Sequence, residues 1–311
     1  MDNSAGPVMV FGGTGHYGRK IVKSLLLQKT PVRVLSRSTS KAREILGDNV
    51  EIIEGDVTSQ EVIKESLKGV QAIVISLSAM TPKLVKKMKM IERDAVLNIL
   101  VEARKANILR IVYLSGYEIR RDFLEKYKIL QVGEIKLEIE YAISNSDFNW
   151  TILGCPPSFD LFFRFLRKKK MGFPGGGKKY LPSISAEDVG AITSEVVIRN
   201  DLSGRRIRLT GPEALSVPEA AKKISKITNL DIKPFTIPLV LLKIASIITL
   251  PFSPFVRFLY KTLIMFNNFP EDLAEKVSSD HKFLLDTFSY HPHTFEMEVK
   301  KRLEANLLKL K

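Results

Sequence analysis

Cysteine is nearly absent. The 311 residues hold one, Cys155, which excludes an intramolecular disulfide and any multi-cysteine zinc or iron–sulfur site. Histidine is sparse too. Of His16, His281, His291 and His293, only His291-Pro-His293 forms a cluster, and no Asp, Glu or His at helical spacing joins it, so no metal site is expected. No unbroken apolar run reaches the roughly 20 residues that a bilayer-spanning helix needs. Met1 to Pro7 shows no basic stretch followed by an apolar one, so no secretory signal is read there and a cytoplasmic location is expected. Internal repeats are missing. What remains is an ordinary globular composition, 45% hydrophobic and 26% charged, which excludes wholesale disorder. The length suits one large domain or two intimate ones. Acidic residues are outnumbered 34 to 48 by Lys and Arg, a formal net charge of +14, which favours anionic partners such as phosphorylated cofactors, acidic membranes or nucleic acid.

Through the first half, short β-branched runs alternate with longer amphipathic stretches. The runs are Val8–Phe11, Val32–Leu35, Glu51–Glu54, Ala72–Ile75, Ile111–Leu114 and Trp150–Leu153; helices are expected near Tyr17–Leu27, Lys41–Leu46, Ser59–Leu67, Lys86–Lys105 and Val132–Ser144. This rhythm predicts an α/β fold, a doubly wound parallel (Rossmann) sheet whose strand ends gather on one ligand-binding edge. After Pro156 the rhythm changes to mostly helical segments punctuated by Pro and Gly. The expected division is 1–155 for the sheet domain and 156–311 for a smaller substrate or cap domain, with about 183–210 returning to the sheet through helix Ala186–Ile198 and strand Ile207–Leu209.

The first strand runs into Gly12-Gly-Thr14-Gly15-His16-Tyr17-Gly18 and then a helical pattern, the strand–turn–helix context that a dinucleotide fingerprint requires. Gly12 permits the turn, Gly15 admits a pyrophosphate close to the backbone, and Gly18 lets helix and strand pack. His16 is placed to meet the pyrophosphate or ribose. Beyond the second strand, an NAD-preferring fold places Asp or Glu for the ribose 2′-hydroxyl. Here no carboxylate occurs from Val32 to Arg43, and Arg37 follows Gly18 by 19 residues. Its planar fork suits a 2′-phosphate, with Ser36 and Ser38 as further donors and Lys41 as a second charge. NADP(H) is therefore expected over NAD(H). Asp56 and Val57 after the third strand suit the adenine amino group and ring face, and Ser76 and Ser78 the adenosine ribose.

Together the glycine loop, the Arg37 segment, Gly55-Asp-Val57 and Val112-Tyr-Leu-Ser115 resemble the NmrA-like, atypical branch of the short-chain dehydrogenase/reductases. Trp150-Thr-Ile-Leu153, Pro182-Ser-Ile-Ser-Ala-Glu-Asp188-Val and Leu209-Thr-Gly-Pro-Glu-Ala-Leu-Ser216 extend the resemblance over residues 8 to 238. It implies an NADP(H)-binding Rossmann core with a small substrate domain, Ser115 bordering the cofactor. Some members of this group are reductases, and others bind the dinucleotide to regulate a partner.

The Tyr-x-x-x-Lys dyad of the wider superfamily is missing: Tyr113, Tyr117, Tyr127 and Tyr141 are followed four residues on by Tyr117, Arg121, Gln131 and Asn145. Similarity to the isoflavone-reductase-like relatives instead places Lys136 at the position of their single catalytic lysine. Such a lysine serves as a general acid when desolvation lowers its pKa; the plainer reading is a surface ion pair with Glu140 at i+4. Gly154-Cys-Pro-Pro157 and Gly116-Tyr117 depart from the family's Arg-Pro-Gly and second serine. Cys155 reads as a buried thiol.

Arg164–Lys170 holds five positive charges in seven residues, but no recognition motif for nucleic acid accompanies it, so a solvated basic face or flexible loop is expected. Leu239–Leu250 and Phe255–Phe266 are helices with wide apolar faces. Three uses stay open for 239–266: a roof over the cleft, a homodimer interface, or peripheral membrane contact. The sequence thus points to an NADP(H)-binding reductase of a small hydrophobic carbonyl, quinone or conjugated double bond. The alternative is a non-catalytic NADPH/NADP redox sensor that binds a protein or nucleic-acid partner.

Overall fold

The structure, a computed structural model, describes residues 6–308 and 310. The described residues divide into two compact units. The first gathers the chain up to Ile119 with Gly133–Cys155 and Val189–Arg208; the second gathers Arg120–Val132, Pro156–Asp188 and the chain from Leu209 on.

The first unit follows the predicted alternation. It runs β1 (Val8–Phe11), α1 (Gly18–Leu27), β2 (Val32–Ser36), α2 (Thr39–Leu46), β3 (Glu51–Glu54), α3 (Gln60–Ser66), β4 (Ala72–Ile75) and α4 (Ala95–Lys105), then β5 (Arg110–Gly116). Past α5 (Arg121–Lys126), which belongs to the other unit, it resumes with α6 (Glu134–Ser144) and β6 (Asn149–Cys155). Local chemistry sets the helix starts: Ser38 accepts from the Lys41 N–H to cap α2, and Ser59 accepts from the Val62 N–H to cap α3. The helix expected over Lys86–Lys105 is interrupted. A π-helical turn, Lys89–Asp94, precedes α4, and such turns recur at functional sites.

β1 and β4 are wholly buried, as strands covered on both faces must be. Met9, Phe11, Ile73, Ile75, Ile111, Tyr113 and Ile152 pack against Ile63, Ile99, Ile139 and Ile143 of α3, α4 and α6. A seventh strand, β10 below, pairs in parallel with β6, giving the order β10-β6-β5-β4-β1-β2-β3.

The second unit is less helical than the sequence suggests. After α7 (Asp160–Arg164) come β7 (Leu166–Arg167), β8 (Lys170–Pro174) and β9 (Leu181–Pro182). α8 (Ala186–Val197) and β10 (Arg205–Arg208) lead back into the first unit, and β11 (Ala214–Leu215), α9 (Val217–Thr228) and β12 (Lys233–Ile237) follow. The chain closes with α10 (Leu239–Ile248), α11 (Pro254–Asn267), α12 (Glu271–Glu275), α13 (Val277–Thr287) and α14 (Phe295–Glu304). β12-β8-β7 form a small sheet, and the basic run is its hairpin: Lys168 takes a left-handed conformation (φ 52°) at the turn, and the cations face solvent. The glycine segment is not a free loop. Gly175 donates to the Ile237 carbonyl (2.9 Å) and Gly177 to Asn267 Oδ1 (3.2 Å). Phe295 centres the core, edge-on to Phe159 and Phe162 and stacked on Phe163.

Candidate functional site

All seven strands of the large sheet run parallel, so their carboxyl ends share one edge, and the strand order switches direction between β1 and β4. Ligands bind such sheets at that switch point. Gly12 turns the chain there with φ 82°. A Cβ on Gly12 would lie 2.4 Å from the Ser76 carbonyl oxygen, and one on Gly18 would lie 2.0 Å from that of Gly12. Neither position accepts another residue without moving backbone. The Gly15 N–H closes the turn on the Gly12 carbonyl (2.9 Å), leaving Gly15 exposed at its tip. Thr14 flanks that tip, and the His16 and Tyr17 rings stand 5.0 Å apart beside it. No side chain caps α1 and no acidic residue occupies its first turn, so its positive end suits an anion.

One strand over, Arg37 and Lys41 are exposed and make no ion pair among the described residues. Ser36 and Ser38 are engaged with each other: Ser36 Oγ donates to the Ser38 carbonyl (3.1 Å) and accepts from the Ser38 N–H (3.3 Å). Sequence reasoning misses Glu54, which pairs in register with Ser36 from β3. Its Oε2 accepts from the Thr39 hydroxyl (2.6 Å) and N–H (3.1 Å), which together hold its pKa below the usual value. Asp56 accepts from the Thr58 N–H (2.9 Å) and hydroxyl (2.8 Å) through Oδ1. Burial raises its carboxyl, but those bonds and the charges of Arg37 and Lys87 bring it below the ordinary range. Val57 is half-buried against the core. Ser76 donates its N–H to the Phe11 carbonyl (2.9 Å), and Ser78 lies exposed beyond it.

Where β5 ends, polar groups gather in the interior. Ser115 is 5% exposed, and its hydroxyl has no hydrogen-bond partner among the described residues. Lys136 projects from α6 with its Nζ 5.0 Å from the Tyr113 ring centre and 3.4 Å from Glu92 Oε2. The surface pair with Glu140 does not form, because Glu140 binds Arg206 (2.9 and 3.1 Å). Glu92, on the π-helical turn and 4% exposed, also accepts from the Ala79 N–H (2.5 Å). It therefore ties the segment after β4 to Lys136. Burial works against the ammonium, but Tyr113 and the Glu92 carboxylate outweigh it and raise the Lys136 pKa. The lowering expected for an efficient general acid is thus reversed. Burial also raises the Tyr113 phenol, against the pull of the Lys136 charge, so it stays protonated at neutral pH. Burial pushes the Cys155 thiol up to about 12, making it a poor nucleophile despite Lys136 and Arg206 nearby.

Close-packed glycines at Gly12 and Gly18, two exposed cations with no ion pair among the described residues at the next strand end, and the orphaned buried hydroxyl of Ser115 suit a phosphorylated dinucleotide. A family model described as NAD(P)H-binding matches residues 12–197. The chain belongs to that family. This NAD(P)H-binding protein is 25% identical over 223 residues to an NAD(P)H azoreductase of Xenophilus azovorans, covering 70% of this chain and 72% of that one. It shares its fold with a nucleoside-diphosphate-sugar epimerase of Staphylococcus aureus (19% identity, TM-score 0.75, 94% of this chain and 99% of that one). It shares it also with Citrobacter sp. triphenylmethane reductase complexed with NADP(H) (18% identity, TM-score 0.71, 95% and 99%). The NmrA-like resemblance read from the motifs agrees with these findings.

Proposed function

We propose that this protein is an NADPH-dependent reductase of a small, hydrophobic, conjugated acceptor: a carbonyl, a quinone or an activated double bond. The observation that carries the cofactor choice is the pair of exposed cations Arg37 and Lys41, which make no ion pair among the described residues, at the edge where an adenosine 2′-phosphate would sit. Gly12, Thr14, Gly15, His16, Tyr17 and Gly18 would hold the diphosphate. Asp56 and Val57 would border the adenine, and Ser76, Ser78 and Ser115 the sugars. When bound, the dinucleotide supplies a hydride. Lys136, kept protonated by Glu92, stabilises negative charge developing on the acceptor. The missing Tyr-x-x-x-Lys dyad speaks against sugar epimerisation and, because one acid–base group serves both directions, makes a simple carbonyl a weaker acceptor than a quinone or an activated double bond, whereas the azoreductase and triphenylmethane reductase to which the chain is similar are named for reductions. A single cysteine and a phosphorylated reductant suit the cytoplasm, where thiols stay reduced.

The test compares affinities for NADPH and NADH. Arg37→Glu should weaken NADPH binding by ~100-fold, the worth of a charge-assisted phosphate contact with some repulsion added, and leave NADH nearly unchanged. Glu54→Gln, which removes a carboxylate from the same edge, should move NADPH affinity the other way. Equal affinity of the unaltered protein for both cofactors would overturn the reading. NADPH oxidation is then screened with quinones, enals, azo dyes and triphenylmethane dyes. Tight NADPH binding with no turnover on any acceptor class would favour the redox-sensing reading, to which the raised Lys136 pKa lends some weight.

A further inference from the structure

Helix α10 carries apolar side chains on both sides. Its more buried arc is Leu239, Leu242, Ala245, Ser246 and Thr249, with Leu239 and Leu242 packed on the core of the second unit. The Ser246 hydroxyl donates to the Lys243 carbonyl (2.7 Å) and the Thr249 hydroxyl to that of Ala245 (2.7 Å), so both polar groups are satisfied within the helix. The outward arc is Val240, Leu241, Ile244, Ile247, Ile248 and Leu250, interrupted only by Lys243. Ile247 and Ile248 are 64% and 66% exposed, and Phe252, in the turn to α11, is 80% exposed. A contiguous apolar surface of this kind is costly in water and marks a docking face.

Charge says what covers it. From Ile232 to Pro270 there is no Asp or Glu, while Lys233, Lys243, Arg257 and Lys261 are present. On α11, which packs on α10, the Lys261 ammonium bonds the Lys128 carbonyl. Lys128, Arg257 and Lys261 make no ion pair among the described residues, and burial together with the charges of Arg257 and Lys128 depresses the Lys261 pKa. A second copy docked face to face would set these cations against their own kind, which is unfavourable. An anionic lipid surface satisfies both halves, with acyl chains for the aliphatic arc and headgroups for the cations. At 10 residues, α10 is ~15 Å long, half the thickness of a bilayer core. Among the described residues no helix is long and apolar enough to cross a membrane. It would lie in the interface plane.

We propose that α10 and the Phe252 turn insert into the interfacial layer of an anionic bilayer, with Lys243, Arg257 and Lys261 meeting the headgroups. This is independent of the cofactor reading. The full chain is sedimented with vesicles of phosphatidylcholine and with an equal mixture of phosphatidylcholine and phosphatidylglycerol. Binding should appear on the mixture, fall with added salt, and drop by at least ~10-fold in Phe252→Glu and in Ile248→Glu, the loss expected for one large buried side chain. Lys243→Glu and Arg257→Glu should each weaken it by about fivefold or more, near the worth of one surface charge. Both apolar positions are exposed, so unchanged thermal unfolding checks that the variants fold. Equal binding to both vesicle types, no binding, or binding untouched by Ile248→Glu would overturn the proposal. So would a concentration-dependent dimer that Ile248→Glu abolishes without vesicle binding, which would make a second copy the occupant.

Discussion

At Lys136 two consequences of burial compete. Desolvation disfavours the ammonium, while Tyr113 and a carboxylate at 3.4 Å favour it, and the second influence prevails. In the proposed reduction Glu92 would be a positioning residue, acting through Lys136. Lys136→Ala should abolish turnover with NADPH affinity retained. Glu92→Gln should move the alkaline limb of the kcat–pH profile to lower pH, since the ammonium loses the partner that holds its proton; an unmoved profile would dissociate Glu92 from the chemistry. Sequence reasoning passes over Glu92, although its place on the face of Val96, Ile99 and Ala103 was a signal that a carboxylate there needs a partner. The partner itself was not legible. Lys136 lies on a different helix, and nothing in the spacing of the sequence reports a contact between them. Arg37 needed no such contact to be recognised, because the turn and strand that present it are local.

Elements that alternate apolar residues over a buried sheet could be read within a residue or two, as β1, β4 and their neighbours show. The small sheet of β12, β8 and β7 could not. β12 is Lys-Pro-Phe-Thr-Ile, almost wholly exposed, and β8, though buried after its first residue, is Lys-Met-Gly-Phe-Pro at the end of a lysine run, so neither presents the apolar pattern that makes a strand recognisable. A different kind of join holds α8 to the large sheet. The Arg110 guanidinium, within β5, donates to the carbonyls of Val196 (2.5 Å), Val197 (3.3 Å) and Asn149 (3.0 Å), and to the Thr151 hydroxyl (3.0 Å). It supplies the cation that a helix carboxyl end favours and satisfies terminal carbonyls there. Burial lowers its pKa to about 10, so it stays charged at neutral pH. Arg110→Ala should cost about 3 kcal/mol in chemical denaturation, because several buried acceptors lose their donor together.

For the molecule as a whole, two histidines set opposite limbs of the stability–pH curve. His293 donates through its backbone N–H to Asp188 (2.9 Å) and pairs with it through Nδ1 (2.6 Å), which raises the His293 pKa above its ordinary 6.5. Stability from that pair is fully present below 6.5 and is lost as pH rises through the raised value. Burial also raises Asp188 itself, giving a slope of the same sign at lower pH. His281 is lowered by burial, so its contribution is retained at high pH and lost as pH falls below 6.5. Urea midpoints measured across pH should therefore pass through a maximum near neutrality. His293→Asn should flatten the alkaline limb, and His281→Asn the acid one.

The chain passes between its two units five times, at Ile119, Val132, Cys155, Asp188 and Arg208. Neither unit can therefore be excised with a single cut. On the ribosome the outer edge of β6 waits, with its amides unpaired, through the whole stretch that separates it from Arg205–Arg208. Its protection against intermolecular pairing begins only when those four residues have emerged from the exit tunnel.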